Sequence, residues 1–323
     1  MAGLLAAIVL LWLALREVVW ADFAAVLGRA RWGWLVVSWI CILLAPAVKG
    51  LRWRFLLAQG EDSPGWWRLT AILAVGQLAN VVIPARAGEL TRSYLVGRER
   101  PGGMGLVLGT ILVEKVLDGL ALLGIAGGLA LTMALPGWFG TASLAFAGTL
   151  ALIAGLVVAL TLARGPLAAW SRRLPPRMRR LAEAGLEGVG ALREGRVLVP
   201  ATLSTAGIWL LGLASNYVLF LALGLPTSVS AALLLLVVHY LAVLIPGVPA
   251  QVGLFHYVTV LALEVFAVGP ELAMPYAVVL HGLIYGTIIA AGAVAAPALS
   301  LDLGGLPGRL RALQAPGKGG SAP

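Results

Sequence analysis

Apolar residues run along this chain in long blocks, several of them approaching the roughly 20 residues that a helix needs to span a bilayer. Short polar, proline-rich or glycine-rich stretches separate the blocks. This pattern predicts spanning helices near residues 4–19, 32–48, 104–133, 142–163, 199–223 and 272–299. Residues 16–31 instead mix charges with Val19, Trp20, Phe23, Val26 and Leu27, the pattern of an amphipathic helix lying in the membrane interface. Two further apolar segments are interrupted before they end. The first runs from Trp66 to Ile83 and meets Pro84, and the second starts at Ala231 and meets Pro246 and Pro249. Proline removes an amide donor, and a broken helix at membrane depth is tolerated only inside protein or beside a wet cavity.

Composition agrees with the pattern. Hydrophobic residues make up 60% of the chain and charged residues 11%, against about 25% in an ordinary soluble domain. The formal charge of +9 does not point to nucleic acid, because the basic residues fall in short loops between apolar blocks. The most basic loop, 164–198, carries Arg172, Arg173, Arg177, Arg179 and Arg180 and belongs in the cytoplasm, as does the tail 300–323 with Arg309, Arg311 and Lys318. A lone cysteine, Cys41, excludes an intramolecular disulfide and a cysteine metal cluster. The block from Leu4 to Leu15 has no basic leader or small-residue cleavage site, so it reads as a retained first helix; the expected location of the chain is a bacterial cytoplasmic (inner) membrane.

The charge distribution around each break suggests its path. The first, near 66–98, has cations on both flanks, which fits a hairpin that enters and leaves on one side. Counting back from the tail, the second, near 231–268, starts and ends on the other side. Pro84-Ala-Arg86-Ala-Gly88 and Pro249-Ala-Gln251-Val-Gly253 share one pattern, each just after an apolar run. Paired broken helices of opposite direction are the architecture in which transporters place a substrate site near the midplane. The sequence thus predicts an all-α polytopic membrane protein: one domain over 1–323, about six spanning helices and two oppositely oriented re-entrant hairpins in inverted-repeat-like halves, 1–163 and 199–299.

Four motifs in order carry a family resemblance: Arg52-Trp53-Arg54, the Pro-x-Arg-x-Gly-Glu core from Pro84 to Glu89, Glu114-Lys115-Val-Leu-Asp118, and the break from Pro246 to Gly253. Together the chain resembles the flippase-like membrane domain of lysylphosphatidylglycerol synthases and its stand-alone relatives. The resemblance implies movement of a polar or charged lipid between leaflets, and some stand-alone members are linked to hopanoid or other lipid pathways. The chain reaches Pro323 without a soluble aminoacyl-transferring domain, so lysine-lipid synthesis is not implied. After Gly253 related chains tend to carry an acidic residue where this one has His256.

Candidate site residues follow from cost. A charge unpaired at the bilayer centre costs about 2.5–3.5 kcal/mol on insertion scales, so Arg86, Glu89, Arg92, Glu114, Lys115 and Asp118 must pair or face water. Glu114 and Asp118 are one turn apart and share a face. Two accounts stand side by side: Arg86 or Arg92 pairs with Glu114 or Asp118 to fasten a hairpin, or one cation stays open for a lipid phosphate. Asn80 and Gln77 either satisfy backbone groups freed at Pro84 or meet substrate. His256 either senses protons or makes an interhelical hydrogen bond. Arg52, Trp53 and Arg54 read as headgroup anchors at the membrane surface.

The expected site is a cavity lined by Asn80, Arg86, Glu89, Arg92, Glu114, Asp118, Gln251 and His256, with breaks at Pro84, Gly88, Pro246, Pro249 and Gly253. The expected partners are a membrane lipid and the bilayer, with lipid-biosynthesis enzymes as further candidates and no nucleic acid. No cofactor, metal site or nucleophile constellation is indicated. The alternatives are an integral membrane enzyme that modifies a lipid and a non-transporting partner of a lipid-synthesis complex.

Overall fold

The computed structural model describes residues 20–57, 64–82, 87–98, 103–162, 175–190, 194–226, 228–244 and 249–299. The expected first span and the tail lie outside these residues, as do Pro84, Arg86 and Pro246. Helix satisfies every backbone polar group locally, the requirement that hydrocarbon imposes, and the described residues contain helix and no strand. Eleven α-helices follow in order among them: α1 Trp20–Gly28, α2 Trp32–Leu57, α3 Trp66–Val82, α4 Gly88–Gly97, α5 Gly103–Thr132, α6 Gly137–Leu162, α7 Pro176–Gly190, α8 Gly195–Leu223, α9 Val229–Leu244, α10 Leu254–Glu264 and α11 Pro270–Ala298. Within α2, α6, α8 and α11 lie four stretches long and apolar enough to cross a membrane. Helix α5 has 30 residues but carries Glu114, Lys115 and Asp118.

Two quartets of helices repeat one plan. α2, α3, α4 and α5 have 26, 17, 10 and 30 residues, and α8, α9, α10 and α11 have 29, 16, 11 and 29. Their packing repeats too. α2 lies along α8, α3 packs on α11 as α9 packs on α5, and α2 packs on α3 as α8 packs on α9. Within each quartet the short helix touches the helix before it and the helix after it. Exchanging the quartets leaves these pairings unchanged, which is the contact signature of an internal two-fold repeat. The glycines that end the two proline motifs fall at like places: Gly88 opens α4 and Gly253 immediately precedes α10.

Two apolar cores form, each drawn mainly from one quartet. Trp53, Leu57, Leu69, Ile72, Leu73, Leu95, Val107 and Ile111 fill the first. Leu219, Phe220, Leu234, Leu235, Leu263, Tyr276 and Leu280 fill the second. Along the α2–α8 seam the Ser38 hydroxyl donates to the Ser215 carbonyl at 3.0 Å. Outward-facing Trp32, Trp34, Val36 and Ile40 on α2 are exposed, an apolar surface of the kind that lipid covers.

Two expectations need correction. The second span was read as ending at Val48, with Arg52 and Trp53 anchored among headgroups, but α2 continues to Leu57. Arg52 and Trp53 are buried and only Arg54 of the three is exposed. The positive-inside pattern supplied a surface explanation for cations that instead turn inward. The basic stretch 164–198 is also more than a loop, since α7 lies within it and packs on α5. Glycines permit the close approach: a Cβ at Gly188 would strike the Leu106 carbonyl and lie 3.1 Å from Gly109 Cα. We expect Gly188→Ala to weaken this contact by about 1–3 kcal/mol and to speed tryptic cleavage in the Arg-rich segment. Gly185→Ala, whose nearest neighbour would be 3.7 Å away, should leave the cleavage rate unchanged.

Candidate functional site

The first break is closed by a side chain. Asn80, near the end of α3, accepts the Gly88 N–H at 2.7 Å and so satisfies a donor that the interrupted helix leaves open. A Cβ at Gly88 would collide with the Gly76 carbonyl and the Asn80 amide, so glycine lets α4 start against α3. Asn80 thus does the backbone work expected of it, while also lining the cavity described below.

From this break, α4 carries Glu89 and Arg92 toward α5, where three ion pairs form. Arg92 Nη2 donates to Glu114 at 3.0 and 3.2 Å, and its guanidinium lies 4.1 Å over the Trp53 ring. Arg52 makes a two-pronged contact with Asp118, at 2.5 and 3.1 Å, and donates to Thr205 Oγ1 on α8 at 3.1 Å. Lys115 Nζ lies 3.2 Å from Glu89 Oε1. The Trp53 indole donates to Thr110 Oγ1 at 3.2 Å, which fixes the ring beneath Arg92. A guanidinium–carboxylate fork is the strong form of such contacts. These pairs join α2, α4, α5 and α8.

The pairs border a cavity of about 510 Å³ between the quartets. One wall is ionic: Lys49, Arg52, Glu89, Arg92, Glu114, Lys115 and Asp118. The facing wall is neutral and aromatic, with Trp209, His239, Tyr240, Gln251 and Tyr285. Of the expected residues, Asn80, Glu89, Arg92, Glu114, Asp118 and Gln251 line it together, whereas Arg86 lies outside the described residues. His256 is a correction: it is buried behind the wall, its ring 4.9 Å from that of His281. The register of α10 turns it away, and His239 from α9 meets the cavity instead.

The second break is held in an uncommon backbone form. Ala250 and Gln251 have φ of 49° and 57°, and Gly253 has 82°. Left-handed backbone at two non-glycine residues persists only when neighbours over-determine it. His281 Nε2 lies 2.8 Å from the Ala250 carbonyl, which fixes this nitrogen as the donor. Gln251 Oε1 is buried without a hydrogen-bond partner. Among the described residues no group of three or more His, Cys, Asp or Glu side chains is placed to hold a metal.

Sequence reasoning missed Lys49 and Arg52 as cavity residues. Their spacing of three on α2 puts them on one face, and that face was the available signal. Lys49 is half-buried, lines the cavity and has no carboxylate within 4 Å among the described residues. The buried Arg52–Asp118 pair gives a sharp test in unfolding titrations of micellar protein. Asp118→Leu alone should destabilise by about 3–5 kcal/mol because it strands a buried guanidinium, and adding Arg52→Met should restore most of the loss.

Comparison with known proteins gives a consistent placement. Over 142 residues the chain is 29% identical to "Glycosyltransferase AglD" of Haloferax volcanii, a match covering 42% of this chain and 22% of that relative's length. Over 257 residues it is 25% identical to "UPF0104 membrane protein" of Methanothermobacter thermautotrophicus, covering 71% of this chain and 73% of the relative. No solved structure matches. The sequence model of one family extends over residues 1–292 of the 323, and the chain belongs to that family, the lysylphosphatidylglycerol synthase TM region.

Proposed function

We propose that this protein moves a polar-headed lipid between leaflets of a bacterial inner membrane, the head group passing through the cavity while the acyl tails stay in the bilayer. The observation that carries the reading is a cavity of about 510 Å³ between two repeats, bordered by seven charged side chains in a chain of only 11% charged residues. Such charges are expensive in hydrocarbon and mark polar pathways where they gather. Helices α4 and α10, of 10 and 11 residues, are about 15–17 Å long and too short for a hydrocarbon core of roughly 30 Å. Each therefore dips in as half of a re-entrant hairpin, α3–α4 from one side and α9–α10 from the other. The chain carries no nucleotide-binding motif, so transport runs downhill or on an ion gradient or the membrane potential.

Leaflet exchange of a fluorescent phospholipid in reconstituted vesicles, read by an impermeant quencher, tests the route. Ala45→Trp, which fills the cavity, and Glu89→Ala should each slow exchange by about tenfold, equivalent to roughly 1.4 kcal/mol in barrier. If both variants exchange lipid at the parent rate, the mechanism fails. Appearance of a covalently changed lipid in the same vesicles would favour a lipid-modifying enzyme, the reading that the glycosyltransferase name of one relative suggests. Topology gives a separate test in a Cys41→Ser background. Single cysteines at Gly65 and Arg98 should react with impermeant maleimide from one side of the membrane, and those at Val229 and Glu264 from the other.

A further inference from the structure

We infer that the second hairpin is closed by a proton-sensitive latch: the imidazoles of His239, His256 and His281 hold the turn at Ala250 and Gln251 while they are neutral and release it when they take up a proton. The latch acts on the fold and is independent of what the cavity carries. Its load is the turn itself, where Ala250 and Gln251 sit at φ of 49° and 57°, a backbone form that residues with side chains keep only under constraint. That constraint comes from α11, whose His281 Nε2 donates to the Ala250 carbonyl at 2.8 Å. The turn also packs on α3 of the other quartet, so its release loosens a contact between the two.

The three rings form one packed cluster drawn from three helices. His239 of α9 stacks on Phe255 at 4.0 Å, Phe255 meets the His281 ring at 5.2 Å, and His281 lies 4.9 Å from His256 and 4.3 Å from Tyr285. His239 Nε2 donates to Thr259 Oγ1 at 2.8 Å, because the proton of that hydroxyl goes to the Phe255 carbonyl. This bond ties α9 to α10 as His281 ties α11 to the turn. His256 is buried, and its Nδ1 has no hydrogen-bond partner. His239, Phe255 and Tyr285 border the cavity, which gives water and protons a route to the cluster.

Nothing nearby is placed to balance a charge on these rings. Among the described residues no carboxylate lies within 4 Å of them. Helix α9 carries no acid, and the acids of α10 and α11, Glu264 and Glu271, stand at the ends of those helices away from the histidines. Helix α3 offers only Arg68, and α8 only Arg196, each in its first turn. Across the cavity Glu114 and Asp118 are committed to Arg92 and Arg52, while Lys49 and Lys115 repel a further cation. Neutral rings therefore suit the closed hairpin, and a charged ring is costly in it. Movement of α10 hydrates the rings, separates His281 from Ala250 and lets the turn leave its left-handed form. The open form takes up protons in the ordinary imidazole range, about 6.5, and the closed form excludes them. The closed hairpin thus loses stability as pH falls through that range. The first hairpin supplies the contrast, because its break is closed by the Asn80 amide, which does not titrate.

Amide hydrogen exchange, read by mass spectrometry on full-length protein in nanodiscs, tests the latch. Peptides over 250–259 are compared with peptides over 88–97 at about pH 7.5 and about pH 5.5, on either side of the imidazole range. Their ratio cancels the intrinsic pH dependence of exchange. On acidification the second-break peptides should gain about tenfold over the first-break peptides, the shift of an opening equilibrium that takes up one proton at an ordinary imidazole. Combining His239→Gln, His256→Gln and His281→Gln keeps side-chain donors but removes the titration, and should abolish the gain. His281→Leu removes the donor to Ala250 and should raise exchange at both pH values. Adding Ala250→Gly, which admits positive φ without strain, should bring part of that protection back. The parent protein decides even where a variant does not fold. No gain, or an equal gain in both sets of peptides, overturns the inference, the second because it marks general loosening. A gain that survives the triple Gln replacement overturns it as well.

Discussion

A carboxylate or guanidinium is costly in an apolar interior without a counter-charge, and the first quartet is built around that condition. Arg52 reaches Asp118 only because α2 continues past the membrane-surface position its cations suggest. Arg92 reaches Glu114 only because the break between α3 and α4 turns the short helix onto α5. Asn80 and Gly88 set that turn, one by closing the open amide and the other by admitting the close approach. The ion pairs, the broken helix and the buried Trp53 are thus one interdependent unit. Removing one partner leaves a buried charge without its paired counter-ion.

The second quartet meets the same backbone problem without ions. Its break is a strained turn through Ala250 and Gln251, held by His281 rather than by an asparagine. His239 lies 2.8 Å from Thr259, whose hydroxyl donates to the Phe255 carbonyl, so His239 is the donor in that pair. Hydrogen bonds from neutral rings carry less desolvation penalty than ion pairs. Two copies of one plan have diverged in chemistry while retaining their packing.

Much of this plan was legible in the sequence because proline, glycine and long apolar blocks act locally. The break positions and the correspondence of Gly88 with Gly253 follow from spacing, and cost named the pairing of Arg86 or Arg92 with Glu114 or Asp118 as one of two accounts. What escaped depended on which way a residue faces. Arg52 and Lys49 sit where a topology rule already accounts for cations, so nothing in the local pattern demanded a partner on α5. His256 follows the break directly, yet helix register turns it behind the wall and brings His239 forward from a different helix. Helix α7 escaped because its packing face is short, with Ala184, Gly188 and Val189 at the contact, and because clustered arginines dominate its composition.

The three pairs differ in their access to water, and that gradient separates fixed contacts from a yielding one. Arg52–Asp118 has side chains 3% and 16% exposed, and Lys115–Glu89 has 48% and 28%. A pair held away from water resists exchange of partners, because separating it desolvates two charges with nothing in return. An exposed pair is screened and contributes little to stability. The Lys115–Glu89 pair is therefore the part of the ionic wall that opens at least expense. The deep pairs therefore act as scaffold, and the shallow pair is the one freer to exchange partners.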